Sequence, residues 1–206
     1  MGEFDFIFAI AILIMSVVVH EVSHGYVAEL FGDPTARLSG RLTINPIKHL
    51  DPVGSFLVPT LTYMLGGFII GWAKPVPYNP YNFKQARLGT MLTAAAGALS
   101  NLFIALIFGL LVRFAPALGI VSDPFIALAS TIVFINLILA IFNLIPIPPL
   151  DGSKVLFSLL PYRFSYIEEM LERYWLILIV LVIFFASGFI APLAGSLFSL
   201  VTGISF

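Results

Sequence analysis

Residues 17–25 read Val-Val-Val-His-Glu-Val-Ser-His-Gly. In a helix, His20 and His24 share one face a turn apart. Two imidazoles at that spacing can hold one zinc ion, and the carboxylate of Glu21 can move the proton of a water molecule beside it. The cluster stands in an apolar run, where an ionisable group is costly unless it is compensated. A bound cation would offset the desolvated carboxylate. A catalytic zinc takes three protein ligands and keeps a fourth position for water. The chain has no cysteine and its one other histidine is His49, so the third ligand is His49 or a carboxylate.

Among the carboxylates, Asp151 is the strongest candidate. It follows Asn143-Leu144-Ile145-Pro146-Ile147-Pro148-Pro149-Leu150 and precedes Gly152. So many prolines cannot continue a helix, and an extended backbone there would aim Asp151 into a cavity. The plainer reading makes Asp151 the N-cap of the next helix. His49, in the loop 45–52, either lines a water path or contacts the metal site, or is a loop histidine bonded to Asp51 or to backbone. Glu168, Glu169 and Glu172 would supply the third ligand of a different integral-membrane zincin, although they read as a solvated interfacial face.

The elements that must carry these residues follow from composition. Of 206 residues, 60% are hydrophobic and 10% charged, against the roughly 45–50% and 25% of soluble domains. A net charge of −1 offers no basic surface, and no nucleic-acid partner is expected. The expected fold is an all-α membrane protein forming one domain over 1–206, in contact with the lipid bilayer. About four transmembrane helices are predicted, at Phe4–Phe31, Gly89–Val112, Phe125–Leu144 and Trp175–Leu200, each near the 20 residues a crossing needs. A fifth apolar stretch, 53–71, is interrupted by Pro59. If it does not cross, the Lys/Arg counts of successive connecting regions run 0, 6, 1, 3, 0, which alternates as the positive-inside rule requires. This stretch is therefore predicted to be re-entrant or interfacial, and both termini face outward. The first helix should stop near Phe31, with Gly32 as a left-handed cap. His20 then lies about 16 Å below the cytoplasmic end, which places a zinc site inside the membrane.

Two motifs, His20-Glu21-Val22-Ser23-His24 and Asn143-x-x-Pro146-x-Pro148-x-x-Asp151-Gly152, resemble those of the site-2 protease family of intramembrane zinc metalloproteases in its compact prokaryotic form. A third, Ala96-Gly97-Ala98-Leu99-Ser100-Asn101, resembles the family's small-residue motif. The resemblance covers about Phe4 to Leu160. It implies that His20, His24 and Asp151 bind one Zn2+ per chain, that Glu21 is the general base, and that Asn101 and the Asn143 segment help orient water, substrate or oxyanion. The implied activity is hydrolysis of peptide bonds within or near transmembrane segments of membrane-protein substrates, at a cell-membrane site toward the cytoplasm. The sequence 1–206 shows no counterpart of the PDZ or CBS regulatory domains of larger relatives, which leaves room for a regulatory partner. Substrate must be unwound to be cut. Arg37–Asn45 and Lys74–Tyr78 are candidate extended pieces to hold it, with ordinary loop structure the plainer reading of either segment alone. The competing non-enzymatic reading, a membrane-embedded metal-ion transporter, would use the same four residues for permeation.

Overall fold

A computed structural model describes residues 3–58, 60, 61, 64, 72–117, 119, 120 and 122–205. It is all-helical among the described residues. Helix α1 spans Glu3–Leu30, a single turn α2 spans Thr35–Leu38, and α3 spans Ala86–Phe114. Then come α4 (Asp123–Asn143), α5 (Asp151–Leu159), α6 (Ser165–Arg173) and α7 (Trp175–Thr202). Three described helices, within Ile7–Leu30, Ala86–Phe114 and Asp123–Asn143, are long and apolar enough to cross a membrane. The last helix, α7, is 28 residues long, and its stretch Gly188–Thr202 is apolar.

The outward faces are as apolar as the sequence promised. Ile7, Phe8, Phe103, Leu176, Ile177 and Phe184 are all exposed, a coating suited to lipid rather than to water. Packing is centred on α3, which contacts α1, α4, α5 and α7. Small residues let it approach closely: Ala94, Ala98 and Ala105 are buried against neighbouring helices. Ala105, Val133, Leu137, Ala194 and Phe198 form the apolar core between α3, α4 and α7.

Helix α1 stops as its sequence predicts. Gly32 takes a left-handed φ of 107°. Its N–H donates to the Glu29 carbonyl (2.9 Å), and the Asp33 N–H reaches back to the Ala28 carbonyl (3.0 Å). This pair of bonds satisfies the orphan carbonyls of the last turn. Beyond it the chain builds a loop layer over the end of the bundle. Arg37–Asn45 is not an extended strip there: its start is the turn Thr35–Leu38 and Gly40 takes a positive φ of 63°. Lys74–Tyr78 does run without helix.

Only part of the 53–71 segment falls on described residues. Val53–Leu57 forms one π-helical turn. Its residue Gly54 lies against the Trp72 indole, where a Cβ would collide. The Trp72 N–H donates to the Gly54 carbonyl at 3.0 Å, so the chain leaves and returns at one place. Most of the residues between, 59, 62, 63 and 65–71, lie outside the described residues, and with them most of the predicted re-entrant piece.

Asp33 anchors this layer. It is fully buried and accepts hydrogen bonds from Thr35 N (3.2 Å), Thr35 Oγ1 (2.5 Å), Asn79 N (2.6 Å) and Asn82 Nδ2 (2.7 Å). Burial pushes its carboxyl up, but the bonds from Thr35, Asn82 and Asn79 outweigh this and hold it below its ordinary value. A depressed carboxylate stabilises the fold fully above its unfolded pKa of about 3.9, and that contribution is lost as pH falls through the lower folded value. Asp33→Ala is therefore expected to cost about 2 kcal/mol, for the donors it leaves buried, read as a lower melting temperature in detergent at pH 7. The wild type, unlike the variant, should lose this increment below about pH 4.

Candidate metal centre

The centre assembles where α1, α3 and the start of α5 meet. His20 lies ten residues inside the Leu30 end of α1, and Gly97 eleven residues inside the Ala86 end of α3. At 1.5 Å per residue both sit about 15 Å below the same rim. The match matters because only glycine fits at position 97. A Cβ there would stand 2.5 Å from His20 Cε1 and Nε2 and 2.6 Å from His24 Nε2.

Asp151 arrives from the other direction. Helix α4 ends at Asn143, and the proline-rich 144–150 segment folds back through tight turns, with Ile147 N–H on the Ile145 carbonyl (2.8 Å) and Leu150 N–H on the Ile147 carbonyl (3.0 Å). Gly152 packs onto the backbone of Leu144 and Ile145 so closely that a side chain would be excluded. Helix α5 then rises toward the rim, where Arg87 Nε, near the start of α3, donates to the Ser158 carbonyl at 3.1 Å. Asp151 therefore begins α5 at the depth of the histidines. The capping alternative does not describe it: Leu150 is the N-cap residue and no side chain caps this helix. Instead Asp151 Oδ2 lies 3.0 Å from His20 Nε2 and 3.2 Å from His24 Nε2.

The protonation of the rings follows from their far sides. The Ile132 carbonyl can only accept, so Asn136 presents its Nδ2 there (2.8 Å) and to Ser16 Oγ (2.9 Å). Asn136 Oδ1 then receives Asn101 Nδ2 (2.8 Å), which leaves Asn101 Oδ1 facing His20 Nδ1 (2.7 Å). His20 must donate through Nδ1. His24 likewise donates from Nδ1 to the Thr93 carbonyl at 2.6 Å. With Nδ1 committed as the donor, Nε2 is the ring position of each histidine that faces the carboxylate oxygen.

One carboxylate oxygen thus lies 3.0 Å and 3.2 Å from two imidazole nitrogens, a donor set suited to a cation. A tetrahedral zinc with ligands at 2.0–2.2 Å holds them about 3.3 Å apart, so two imidazole nitrogens and one carboxylate oxygen fit it in type, number and spacing. Glu21 offers a second carboxylate within 4.8 Å of both imidazoles. It is the less suited ligand, because its Oε2 is already engaged by the Val76 N–H at 2.8 Å.

The remaining predicted residues fall elsewhere. Asn101 is fully buried behind His20, with its Oδ1 2.7 Å from that ring's Nδ1. Asn143 Nδ2 donates to the Leu139 carbonyl of its own helix (2.9 Å). His49 is buried in the loop layer with Nε2 on the Thr43 carbonyl (2.8 Å), the backbone-bonded reading of that residue. Glu168 borders a cavity of about 240 Å³ with Arg87, Thr90 and Tyr162, away from the histidines. Sequence reasoning missed Asn136, Thr93, Arg41 and Val76. Only Asn136 carried a signal, a lone amide inside the apolar run Phe134-Ile135-Asn136-Leu137.

Apolar helices with lipid-type faces, joined around two buried histidines and a half-buried glutamate and completed by a distant aspartate, define a membrane-type zinc metalloenzyme. The model of peptidase family M50 matches residues 118–187, the part that contains Asp151. YwhC of Bacillus subtilis (strain 168), named as a zinc metalloprotease, is 44% identical over 154 residues, which are 72% of this chain and 67% of that protein. Rip2 of Mycolicibacterium smegmatis, likewise named, is 33% identical over 151 residues, 73% of this chain and 56% of its own length. Rip2 of Mycobacterium tuberculosis is 31% identical over 155 residues, and the chain covers 56% of that relative too. No solved structure matches the chain. The chain belongs to peptidase family M50, the site-2 protease family of zinc metalloproteases.

Removing the amide behind His20 tests the arrangement. Asn101→Ala is expected to weaken zinc binding by about 10- to 100-fold, the usual effect of losing a partner behind a metal-ligating histidine. Gly97→Ala, whose methyl would occupy the space of the ligands themselves, should abolish stoichiometric zinc. Metal content of the purified variants after dialysis against a graded chelator reads both. Wild-type retention in Gly97→Ala would place the metal elsewhere.

Proposed function

We propose that this chain is an intramembrane zinc endopeptidase that hydrolyses peptide bonds within or near the transmembrane segments of other membrane proteins. The observation that carries this reading is depth: His20, His24 and Asp151 converge about 15 Å inside the rim of apolar helices. A group that reacts there meets peptide bonds that are themselves in the membrane. In this reading His20, His24 and Asp151 hold the zinc and Glu21 is the general base. Bound zinc supplies Lewis acidity and lowers the pKa of a coordinated water toward about 7.

The chain's own residues do the rest. Glu21 takes a proton from the attacking water and returns it to the leaving amine. Asn101 and Thr93 hold the imidazoles in the tautomer that keeps Nε2 free. The substrate segment must be locally unwound, because a helical peptide bond is shielded by its own hydrogen bonds.

The same reading places residues 1–206 as one domain in the cell membrane, multi-pass, with α7 as a fourth crossing and the loop layer in the cytoplasm. The six Lys/Arg of 31–88 support that side. Its partners are the lipid bilayer, a transmembrane protein substrate and a regulatory partner that governs access.

Glu21→Gln is expected to keep its zinc and lose about 100- to 10,000-fold in turnover, the span of general-base contributions. Proteomics of membranes expressing wild type or variant should show fragments that depend on Glu21; identical fragment sets would refute proteolysis. A reporter inserted beside Tyr78 should label from the cytoplasm, and labelling from outside would invert the topology.

A further inference from the structure

Arg41 is buried, yet no carboxylate among the described residues pairs with it. Its guanidinium bonds carbonyls instead: NH1 donates to Lys48 O (2.5 Å), and NH2 to Lys74 O (2.6 Å) and Pro75 O (3.3 Å). With the Lys74 N–H on the His49 carbonyl (2.8 Å), these bonds fasten the strap 72–79 to the turn before it.

A loop clamp would end there, but the third carbonyl leads further. Pro75 C=O and Val76 N–H belong to one peptide group, and that N–H donates to Glu21 Oε2 at 2.8 Å. A cation, a peptide dipole and a carboxylate thus stand in line. Hydrogen bonds in series polarise one another, most strongly away from water, and Val76 is buried. The sequence leaves the link no substitute. In Lys74-Pro75-Val76-Pro77 the flanking prolines have no N–H, so Val76 alone can donate from 75–77.

We propose that Arg41 is a positioning residue for Glu21, acting through the Pro75–Val76 peptide group. It fixes Oε2 on the Val76 N–H and leaves Oε1 as the oxygen that handles the proton. The loop layer, held from the cytoplasmic side, thereby sets the geometry of a carboxylate in the first helix. The proposal rests on the reading of Glu21 as the general base.

The test is a double-mutant cycle in the full chain, on a purified single-span reporter peptide in detergent. Val76→Pro removes the N–H and keeps an extended backbone; Arg41→Gln removes the charge. Each is expected to lower kcat about tenfold, the usual worth of a hydrogen bond to a charged group, with KM within about twofold and zinc content unchanged. The double variant should be no slower than either single one, and Arg41→Lys should recover part of the loss. Multiplied effects in the double variant, a loss carried by KM or by zinc content, or wild-type turnover of Arg41→Gln would overturn the proposal. If Arg41→Gln does not accumulate, Arg41→Lys replaces it in the cycle, and Val76→Pro must then mask its whole effect. A reporter cleaved equally by wild type and Glu21→Gln overturns the base assignment and this proposal together. A dead Glu21→Gln beside a normal Arg41→Gln overturns this proposal alone.

Discussion

Three polar, ionisable side chains meet inside a bundle of apolar helices, and the rest of the fold has to accommodate them. Asp151 Oδ2 lies 3.0 Å from His20 Nε2 and 3.2 Å from His24 Nε2, below the rim of an apolar bundle. Such a cluster is costly to bury unless its charges are compensated and every other polar edge is satisfied. The satisfaction comes from three helices. Asn101 on α3 serves His20, Asn136 on α4 serves Asn101, and Ser16 on α1 closes the circuit, while a main-chain carbonyl of α3 serves His24. The relative heights of α1, α3 and α4 are thereby locked by hydrogen bonds in a bundle whose outer contacts are apolar and interchangeable.

Two glycines make the geometry attainable. Gly97 lets α3 lie against the imidazoles, and Gly152 lets the segment after α4 fold tightly enough to bring Asp151 inward at their depth. The prolines between are one reason α4 cannot simply continue. The loop layer above is held by a different kind of contact, buried ions bonded to backbone: Asp33 gathers N–H groups and Arg41 gathers carbonyls. Both act on the strap 72–79, and the strap meets Glu21.

Much of this was legible in the sequence because it depends on local rules. The helix spacing of His20 and His24, the Gly32 stop, the proline break before Asp151 and the helix bounds within three residues all follow from periodicity and backbone sterics. The Arg37–Asn45 strip takes the plainer loop reading and not the extended one. Its composition allows extended chain, but a carboxylate two residues upstream of Thr35 folds its start into a turn. Asn101 and Asn143 looked alike as polar residues in membrane helices. One faces a neighbouring helix and the other bonds within its own, a matter of helix rotation that a lone sequence does not encode.

By itself, then, the sequence determined the chemistry: which donors exist, that two share a helical face in apolar surroundings, and that Asp151 after the broken segment is the strongest candidate for a third. Tertiary structure alone decided the roles of residues distant along the chain. Asn136, 116 positions from His20, fixes its tautomer, and a peptide N–H at 76 holds the carboxylate at 21. The physical reason is that proton placement and hydrogen-bond direction are settled by whatever group packs against the far side of a side chain. That group is chosen by the fold and not by spacing in the chain.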